Sequence, residues 1–262
     1  MTLIAHSLAS GSSGNSILVR DSETTILIDA GIGIRRLIAA LAVARVNPSD
    51  LSAILISHEH SDHTAGAVRM ALRFGVPLVS NSKTLAAISM AGSVPYKVLE
   101  VGEELAVGRL AVRSFPISHD AVQPVGYTVA GSGGTICCAT DTGKLTPEMY
   151  AEVKSADLLI LESNHDVNML VRGPYPWYLK QRIMGDKGHL SNETASKLLL
   201  ELAESGKASS VWLAHLSRTN NSPSLALATA KKLLQACVGS ALNVSVALRD
   251  VPSLVWQQES SA

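Results

Sequence analysis

The sequence predicts a layered α/β fold, an α+β arrangement of four layers, formed by one domain that spans residues 1–262. Short apolar runs of strand length alternate with segments of helical periodicity along the whole chain, which is typical of layered α/β proteins. Apolar residues make up 47% of the chain and charged residues only 17%, so a sizeable core can form. The sequence contains no internal repeat, low-complexity tract or linker, which favours one domain over several.

Apolar runs and turn residues place the elements in order along the chain. The predicted strands are residues 3–8, 16–19, 25–28, 53–56, 77–79, 105–107, 110–115, 135–139, 156–161, 211–214 and 244–247. The predicted helices are residues 34–43, 64–74, 82–90, 147–153, 191–204 and 222–234. Thr146 is the expected N-cap of the helix that begins at Pro147.

Charge and cysteine content exclude several classes of protein. Lys plus Arg and Asp plus Glu number 22 each, so overall charge gives no general affinity for nucleic acid or an anionic membrane. Residues 1–6 lack the basic and apolar regions of a signal peptide, and no apolar run reaches the length of a membrane span. The odd set Cys137, Cys138 and Cys237 predicts reduced, buried thiols. We therefore expect a cytoplasmic protein without a membrane anchor.

A glycine- and serine-rich loop follows the first predicted strand. Residues 9–16 read Ala-Ser-Gly-Ser-Ser-Gly-Asn-Ser, a composition that permits tight turns and free backbone N–H groups. Such a loop can hold a phosphate, with Ser12 and Asn15 as candidate substrate contacts. It can equally be a plain strand connection, because it lacks the lysine and helix of a P-loop.

The stretch Ser57-His58-Glu59-His60-Ser61-Asp62-His63 is the strongest functional signal in the chain. It follows a buried-strand pattern and precedes a helix, so three imidazoles and two carboxylates lie on one strand-to-helix turn. Imidazole and carboxylate are the usual ligands of zinc, manganese and iron. His58 and His60 point the same way in an extended segment, whereas Asp62 and His63 follow the bend. This spacing suits two metal ions better than one; the alternative is an ordinary polar loop.

Further candidate ligands stand where other apolar strands end. His119, Asp141 and His215 each follow such a strand, and catalytic groups of layered folds commonly lie at strand ends. Asp29 also ends a strand, where its carboxylate could orient a metal ligand from behind. Each of these residues alone is more often an ordinary loop residue.

The pattern His-x-His-x-Asp-His followed by His119, Asp141 and His215 resembles the metallo-β-lactamase superfamily. The resemblance implies an αββα sandwich of two mixed sheets flanked by helices. It also implies that His58, His60 and His119 hold one metal ion, that Asp62, His63 and His215 hold a second, and that Asp141 bridges them. A bridging carboxylate is typical of the phosphodiesterase and glyoxalase-type members, whereas the β-lactamases commonly use a cysteine near that point. Cys137 and Cys138 precede Asp141 within a predicted strand and look like core residues.

Four further segments narrow the resemblance to the bacterial YycJ/WalJ group, which is similar to RNase Z in its core. They are residues 10–16, residues 162–166 (Glu-Ser-Asn-His-Asp), residues 188–192 (Gly-His-Leu-Ser-Asn) and His215-Leu216-Ser217 with Asn220-Asn221. The resemblance implies a 5′-to-3′ exonuclease that acts on double-stranded DNA. Two divalent ions, zinc or manganese and also iron, are the implied cofactors.

Phosphodiester hydrolysis also has a chemical rationale. Two metals can generate hydroxide near neutral pH and stabilise an in-line displacement at phosphorus, with the bridging hydroxide as nucleophile. The leaving oxygen then needs a proton, and His189 is the candidate general acid, although it could instead be a capping residue. We count Asp62 with His189 as catalytic. His165 is as readily a support for the site as a structural residue.

A DNA substrate needs contacts beyond the metals. Residues 167–190 are rich in positive and aromatic side chains, of which Arg172, Tyr175, Trp177 and Lys180 are candidate contacts to a frayed strand end. The alternative is that these aromatic residues pack on the domain or on a second subunit. Ser217, Asn220 and Asn221 could donate to a phosphate, or could form an ordinary turn and helix start.

Other functions share much of this pattern. A hydrolase of thioesters or lactones would use the same ligands, as would an RNA-processing nuclease. A nucleic-acid-binding protein with a relic site is a third alternative, which metal content would test. An RNase J type enzyme is disfavoured, because the stretch between Asp141 and His215 is too short for an inserted domain of roughly 100 residues or more.

Overall fold

Two seven-stranded sheets pack face to face, and helices cover their outer faces. The computed structural model describes residues 2–88, 94–204, 210–235 and 242–259. Its strands are β1 (Thr2–Ala9), β2 (Ser16–Arg20), β3 (Thr25–Ile28), β4 (Ala53–Leu55), β5 (Leu78–Ser80), β6 (Tyr96–Val98), β7 (Glu104–Val107), β8 (Leu110–Pro116), β9 (Val125–Gly131), β10 (Gly134–Ala139), β11 (Leu158–Glu162), β12 (Ser210–Ala214), β13 (Asn243–Val246) and β14 (Val255–Glu259). Its α-helices are α1 (Ile34–Val43), α2 (Ser61–Thr64), α3 (Ala67–Phe74), α4 (Ser82–Ala87), α5 (Pro147–Ser155), α6 (Val167–Arg172), α7 (Trp177–Met184), α8 (Asn192–Glu204) and α9 (Pro223–Leu234).

Both sheets are mixed, as the family resemblance implied. The first has the order β14-β1-β2-β3-β4-β5-β6, antiparallel from β14 to β3 and parallel from β3 to β6. The second has the order β13-β12-β11-β10-β9-β8-β7, parallel from β13 to β10 and antiparallel from β10 to β7. The predicted four-layer α/β sandwich is therefore confirmed.

Three apolar clusters hold the layers together. The central cluster joins the inner faces of the two sheets, with Leu3 and Ile26 from one and Tyr127 and Ile160 from the other. A second cluster packs α1, α3 and α4 against the first sheet, and a third packs α5, α8 and α9 against the second. Parallel strands covered on both faces read as continuous apolar runs, which is why β4, β11 and β12 were recognisable in the sequence.

One edge of the sandwich collects the strand ends that carry polar residues. β3, β4, β8, β10, β11 and β12 all end there. Asp29, Asp141 and His215 directly follow or nearly follow their strands and have left-handed backbone, with φ of 60°, 58° and 55°. Non-glycine residues rarely adopt this conformation, which turns the chain sharply and directs each side chain into the space between the sheets.

The helix predicted at residues 64–74 is divided into α2 and α3. The division lies at Gly66, whose N–H donates to the Ala30 carbonyl at 2.8 Å. A Cβ at this position would lie 2.4 Å from the Ile32 carbonyl oxygen, so the chain must pass too close for any other residue. The break lets α2 turn its ligands towards the site while α3 packs on the first sheet.

Other predicted boundaries differ by smaller amounts. Strands β6, β9 and β14 were not predicted, and residues 167–184 form α6 and α7, for which no helix was predicted. The helix predicted at 82–90 ends at Ala87, and its last two predicted positions lie outside the described residues. Thr146 caps α5 as predicted, its side chain accepting a hydrogen bond from Met149 N.

The cysteine prediction holds for the pair that the structure describes. Cys137 and Cys138 are buried and free, and burial raises the pKa of Cys137 to about 12. Cys237 lies outside the described residues. Among the described helices, none combines the length and the apolar character that crossing a membrane requires.

Candidate metal centre

The structure brings the predicted ligands together as two neighbouring groups. Candidate ligand atoms of His58, His60 and His119 all lie within 4.8 Å of one another. His58 Nε2 and His60 Nδ1 are 3.1 Å apart. This is close to the separation of about 3.3 Å expected for two nitrogen ligands of a tetrahedral zinc ion with Zn–N bonds of about 2.0–2.1 Å.

The second group contains Asp62, His63 and His215, again within 4.8 Å. Asp62 Oδ2 lies 3.6 Å from His215 Nε2 and 3.8 Å from His63 Nε2. Asp62 and His63 lie within α2, whereas His215 comes from the opposite sheet, directly after β12. The group therefore forms only when the two sheets pack.

Asp141 lies between the two groups. Its Oδ2 is 3.0 Å from His63 Nε2, and its Oδ1 is 3.8 Å from His119 Nε2. The carboxylate is 2% exposed, and its pKa is well below the ordinary value: burial opposes ionisation, but His215 and His63 outweigh it. A side chain in this position can contact ions held by either group.

The donor set fits divalent metal ions. Four of the ligand histidines have their Nδ1 atom within hydrogen-bond distance of a protein oxygen. The pairs are His58 with Ser57 Oγ at 3.0 Å, His63 with Asp29 Oδ2 at 2.7 Å, His119 with Gly188 O at 3.2 Å, and His215 with Glu162 Oε1 at 2.8 Å. This leaves their Nε2 atoms directed at the cluster, the arrangement usual for metal-binding histidines. Asp141 Oδ2 and His215 Nε2 are buried without a hydrogen-bond partner among the described residues, which a bound cation would satisfy.

Asp29 supports His63 from behind. Its Oδ2 accepts from His63 Nδ1 at 2.7 Å, while Ser57 N donates to its Oδ1 at 2.9 Å. Burial lowers the pKa of His63, but Asp29 and Asp141 outweigh it and the net shift is well upward. Asp29 thus fixes the ring that presents Nε2 to the cluster.

The glycine- and serine-rich loop packs against the centre and serves as a connection. Asn15 Oδ1 accepts from Gly11 N at 2.8 Å, Gly14 N donates to Gly11 O, and Asn15 N donates to Asp62 O. These three N–H groups are therefore engaged within the protein, which favours a plain strand connection over a phosphate cradle. Asn15 is buried, with its Nδ2 3.1 Å from His63 Nε2, whereas Ser12 is exposed at the tip of the loop.

Glu162 is a site residue that the sequence reasoning missed. Its side chain is fully buried, and Oε1 accepts from both His189 Nδ1 and His215 Nδ1 at 2.8 Å. Burial opposes its ionisation, but the two histidines hold its pKa at about 2. The signal was present: Glu162 ends an apolar strand, the criterion that selected Asp29 and Asp141.

His189 stands beside the metal centre and remains accessible. Its ring centroid lies 5.1 Å from that of His119 and 5.3 Å from that of His215, and its side chain is 20% exposed. Burial lowers its pKa, but Glu162 outweighs burial and the net shift is upward. Because Glu162 engages Nδ1, Nε2 is the nitrogen available to a substrate.

His165 is buried near His189 and Glu162 but forms no hydrogen bond with either side chain. Within the described residues its Nδ1 has no partner, and burial lowers its pKa to about 4. Its backbone carbonyl accepts from Asn192 N at 2.8 Å, which ties β11 to the start of α8. The backbone of His165 therefore has a structural role.

The predicted substrate contacts divide into reachable and buried residues. Arg172 and Trp177 are exposed, and Tyr175 is half-buried with its hydroxyl 3.2 Å from Thr219 Oγ1. Lys180 is a correction: its Nζ donates to the carbonyls of Val171 and Gly173, so it ties α7 to the end of α6 and cannot serve a phosphate.

Ser217, Asn220 and Asn221 also require correction. All three are buried. Asn221 Nδ2 donates to Ser163 O and to Asn192 Oδ1 at 2.8 Å, and Ser217 Oγ accepts from Asn220 N. The side chains of Ser217 and Asn221 hold the turn after β12 together, whereas Asn220 Nδ2 and Oδ1 have no hydrogen-bond partner among the described residues. All three side chains lie beneath the surface, where a phosphate cannot reach them.

Comparison with known proteins defines the class. Residues 24–216 match the family model described as a β-lactamase superfamily domain. YhfI from Bacillus subtilis, a metallo-β-lactamase fold protein, superposes with a TM-score of 0.73 at 18% identity and covers 98% of this chain and 99% of its own. Human tRNase Z, short form, shares the fold with a TM-score of 0.64 at 15% identity over 99% and 100% of the two chains. Fold and site together define a metal-dependent hydrolase of the metallo-β-lactamase fold.

Sequence relatives narrow the class further. The chain is 38% identical over 246 residues to the exodeoxyribonuclease WalJ of Streptococcus pneumoniae, which covers 91% of both proteins. It is 37% identical over 232 residues to the exodeoxyribonuclease YycJ of Bacillus anthracis, covering 87% of this chain and 88% of that protein. The chain belongs to the WalJ/YycJ family of the β-lactamase superfamily.

Proposed function

We propose that this chain is a dinuclear metal-dependent phosphodiesterase that removes nucleotides in the 5′-to-3′ direction from double-stranded DNA. The observation that carries the proposal is the His189–Glu162 pair, which places a protonatable imidazole 3.6 Å from Asp141 at the edge of the metal cluster. A thioester substrate would not need such a group, because a thiolate leaves without taking up a proton. The names of the WalJ and YycJ relatives support DNA as the substrate.

The ligand assignment follows the two groups. His58, His60 and His119 would hold one ion, Asp62, His63 and His215 the other, and Asp141 both. Imidazole and carboxylate donors suit zinc or manganese, and also iron. Two such ions, when bound, supply an activated water near neutral pH and offset negative charge on the phosphate.

Asp62 and His189 are the proposed catalytic residues. Asp62 is the ligand carboxylate that a substrate can reach, with its side chain 23% exposed, and it can accept a hydrogen bond from the attacking water. His189 donates a proton from Nε2 to the leaving oxygen, while Glu162 stabilises the imidazolium through Nδ1. The exposed side chains of Arg172 and Trp177, together with Tyr175, offer charge and stacking to a strand end.

A product ladder tests this function. Purified protein is incubated with end-labelled single- and double-stranded DNA and RNA, with Mn²⁺ or Zn²⁺, and Asp141→Ala serves as the inactive control. We expect mononucleotides released from the 5′ end of duplex DNA. Cleavage of RNA alone would indicate an RNA-processing nuclease. Intact nucleic acids together with hydrolysis of a thioester or lactone would indicate a small-molecule hydrolase. A DNA substrate agrees with the expected cytoplasmic location.

A further inference from the structure

A cavity of about 200 Å³ opens beside His189, between α7 and the loop after β8. Leu179 and Ile183 line it with apolar surface, and Tyr175 adds an aromatic ring whose hydroxyl is anchored on Thr219 Oγ1. The volume is below the roughly 300–1,000 Å³ of pockets for drug-sized ligands. The cavity therefore suits one nucleoside and is too small for a base pair.

A fixed ion pair stands at this cavity. Arg182 Nε and Nη2 both lie 2.5 Å from Asp120 Oδ2, and the arginine side chain is 61% exposed. The other carboxylate oxygen of Asp120 is buried, 3.3 Å from His119 Nε2. Asp120 thus holds the guanidinium beside the metal centre, and the exposed edge of the guanidinium can donate further hydrogen bonds to an anionic oxygen.

The chemistry of the leaving group identifies which nucleoside the cavity faces. This step rests on the proposed function. In 5′-to-3′ removal the water oxygen forms the new bond to phosphorus, the P–O3′ bond breaks with its electron pair on O3′, and O3′ takes the proton of His189. The phosphate stays on the shortened strand. A general acid must lie within hydrogen-bond reach of the oxygen that it protonates, and O3′ belongs to the departing nucleotide.

We propose that this cavity receives the 5′-terminal nucleoside that each cleavage releases. Its base lies against Leu179, Ile183 and Tyr175, and its 5′-phosphate lies towards Arg182. The proposal makes these residues determinants of specificity for a strand end. A site that accommodates one nucleoside also accounts for removal of nucleotides one at a time.

The substrate arm of the test removes one base. Duplexes carry a 5′-terminal abasic nucleotide, the same abasic nucleotide at the third position, or neither. The terminal abasic duplex should lose about 10- to 100-fold in kcat/KM for the first cleavage, the range of a single base-stacking contact. The third-position duplex should behave like the intact one. Equal cleavage of the terminal abasic and intact duplexes by an active enzyme would overturn the proposal while leaving the exonuclease function standing.

The protein arm fills the cavity. Leu179→Trp should lower kcat/KM on the intact duplex to the level of the terminal abasic duplex and abolish the difference between them. Gln181→Trp adds the same bulk to an exposed position of α7 outside the cavity lining and should keep the difference. Thermal melting checks that each variant is folded. Ile183→Ala removes part of the cavity wall without adding bulk, and it should also reduce the difference in kcat/KM between the intact and the terminal abasic duplex.

A binding measurement separates the cavity from catalysis. Deoxyadenosine 5′-monophosphate, the product class, is titrated into the protein by calorimetry. Wild type and Gln181→Trp should bind it, and Leu179→Trp should bind it at least about tenfold more weakly. Absence of binding to the wild type would overturn the proposal. If metal-loaded wild type cleaves no DNA but binds this nucleotide in a Leu179-dependent manner, the exonuclease function fails and the nucleoside site stands.

Discussion

Glu162 and His189 are joined by a hydrogen bond of 2.8 Å between Oε1 and Nδ1, and the same oxygen lies 2.8 Å from Nδ1 of His215. One buried carboxylate therefore orients both the proposed general acid and a proposed metal ligand. Its other oxygen accepts from the backbone N–H groups of Thr142 and Leu190, so it cannot rotate freely.

Glu162→Gln should shift the pH dependence of DNA cleavage. The charge of Glu162 raises the pKa of His189 against the effect of burial, so the acid form persists above its ordinary range. Activity should be lost as pH rises through this raised pKa, and in the variant that alkaline loss should move to lower pH. The check is kcat/KM against pH on DNA. If kcat/KM of the variant declines at the same alkaline pH as in the wild type, with metal content unchanged, the role given to Glu162 is contradicted.

His189→Ala should keep the metals and lose turnover. The residue is outside the proposed ligand set, so metal analysis should match the wild type. Turnover on DNA should fall by about 10²–10⁴-fold, the usual contribution of general acid catalysis. The deficit should shrink on a nitrophenyl phosphodiester, whose leaving group needs no proton. Equal losses on both substrates would show that His189 positions the substrate or supports the fold instead.

Asp141→Ala should disturb both metal ions. The carboxylate lies within 3.0 Å of His63 Nε2 and 3.8 Å of His119 Nε2, one from each ligand group. Removing its charge leaves both groups without their shared acidic ligand. Metal analysis should show a loss at both positions, with the exposed Asp186→Ala as the matched control. Two full equivalents retained in Asp141→Ala would refute the bridging role.

His165→Gln should reduce the amount by which the free energy of unfolding of the metal-free protein falls as the pH is lowered. Burial lowers the pKa of His165 to about 4, below its ordinary 6.5. Between those values the unfolded chain binds a proton that the folded chain does not, so the free energy of unfolding falls as pH falls from 6.5 to 4. At pH 4, protonation of His165 in the unfolded chain lowers the free energy of unfolding by about 3 kcal/mol relative to neutral pH.

Urea unfolding of metal-free wild type and His165→Gln at pH 7 and pH 4.5 measures this difference. Glutamine does not titrate, and comparing how stability changes with pH in the two proteins cancels any pH-independent effect of the substitution on packing. A parallel decline in both proteins would mean that other groups carry the acid sensitivity.

The ligand motif and the architecture were predictable because each rests on a local pattern. His58, His60 and His63 are close in sequence, and buried strands such as β4 and β12 read as apolar runs. β6 and β14 gave no such signal, because edge strands are exposed on much of their surface: all three residues of β6 are exposed. Pairing with a neighbour that is remote in sequence defines these strands.

Side chains within a turn were harder to predict than the turn itself. The segment from Ser217 to Asn221 was correctly placed beside His215, but its side chains are buried and the amide of Asn221 bonds the chain beneath it. Lys180 shows the same limit, because only the arrangement of α6 and α7 brings two carbonyls to its Nζ. Composition shows that a polar group is present, whereas its partner depends on the tertiary packing.

The left-handed backbone at Asp29, Asp141 and His215 has a consequence for how this family can diverge. Glycine and asparagine accept that conformation more readily than most residues, so the backbone by itself does not require a histidine at position 215. A change to glycine at this position would relieve the backbone and remove one ligand of the second group in a single substitution. A relative with glycine there is expected to keep the sandwich but to lack the imidazole that this chain offers to the second ligand group.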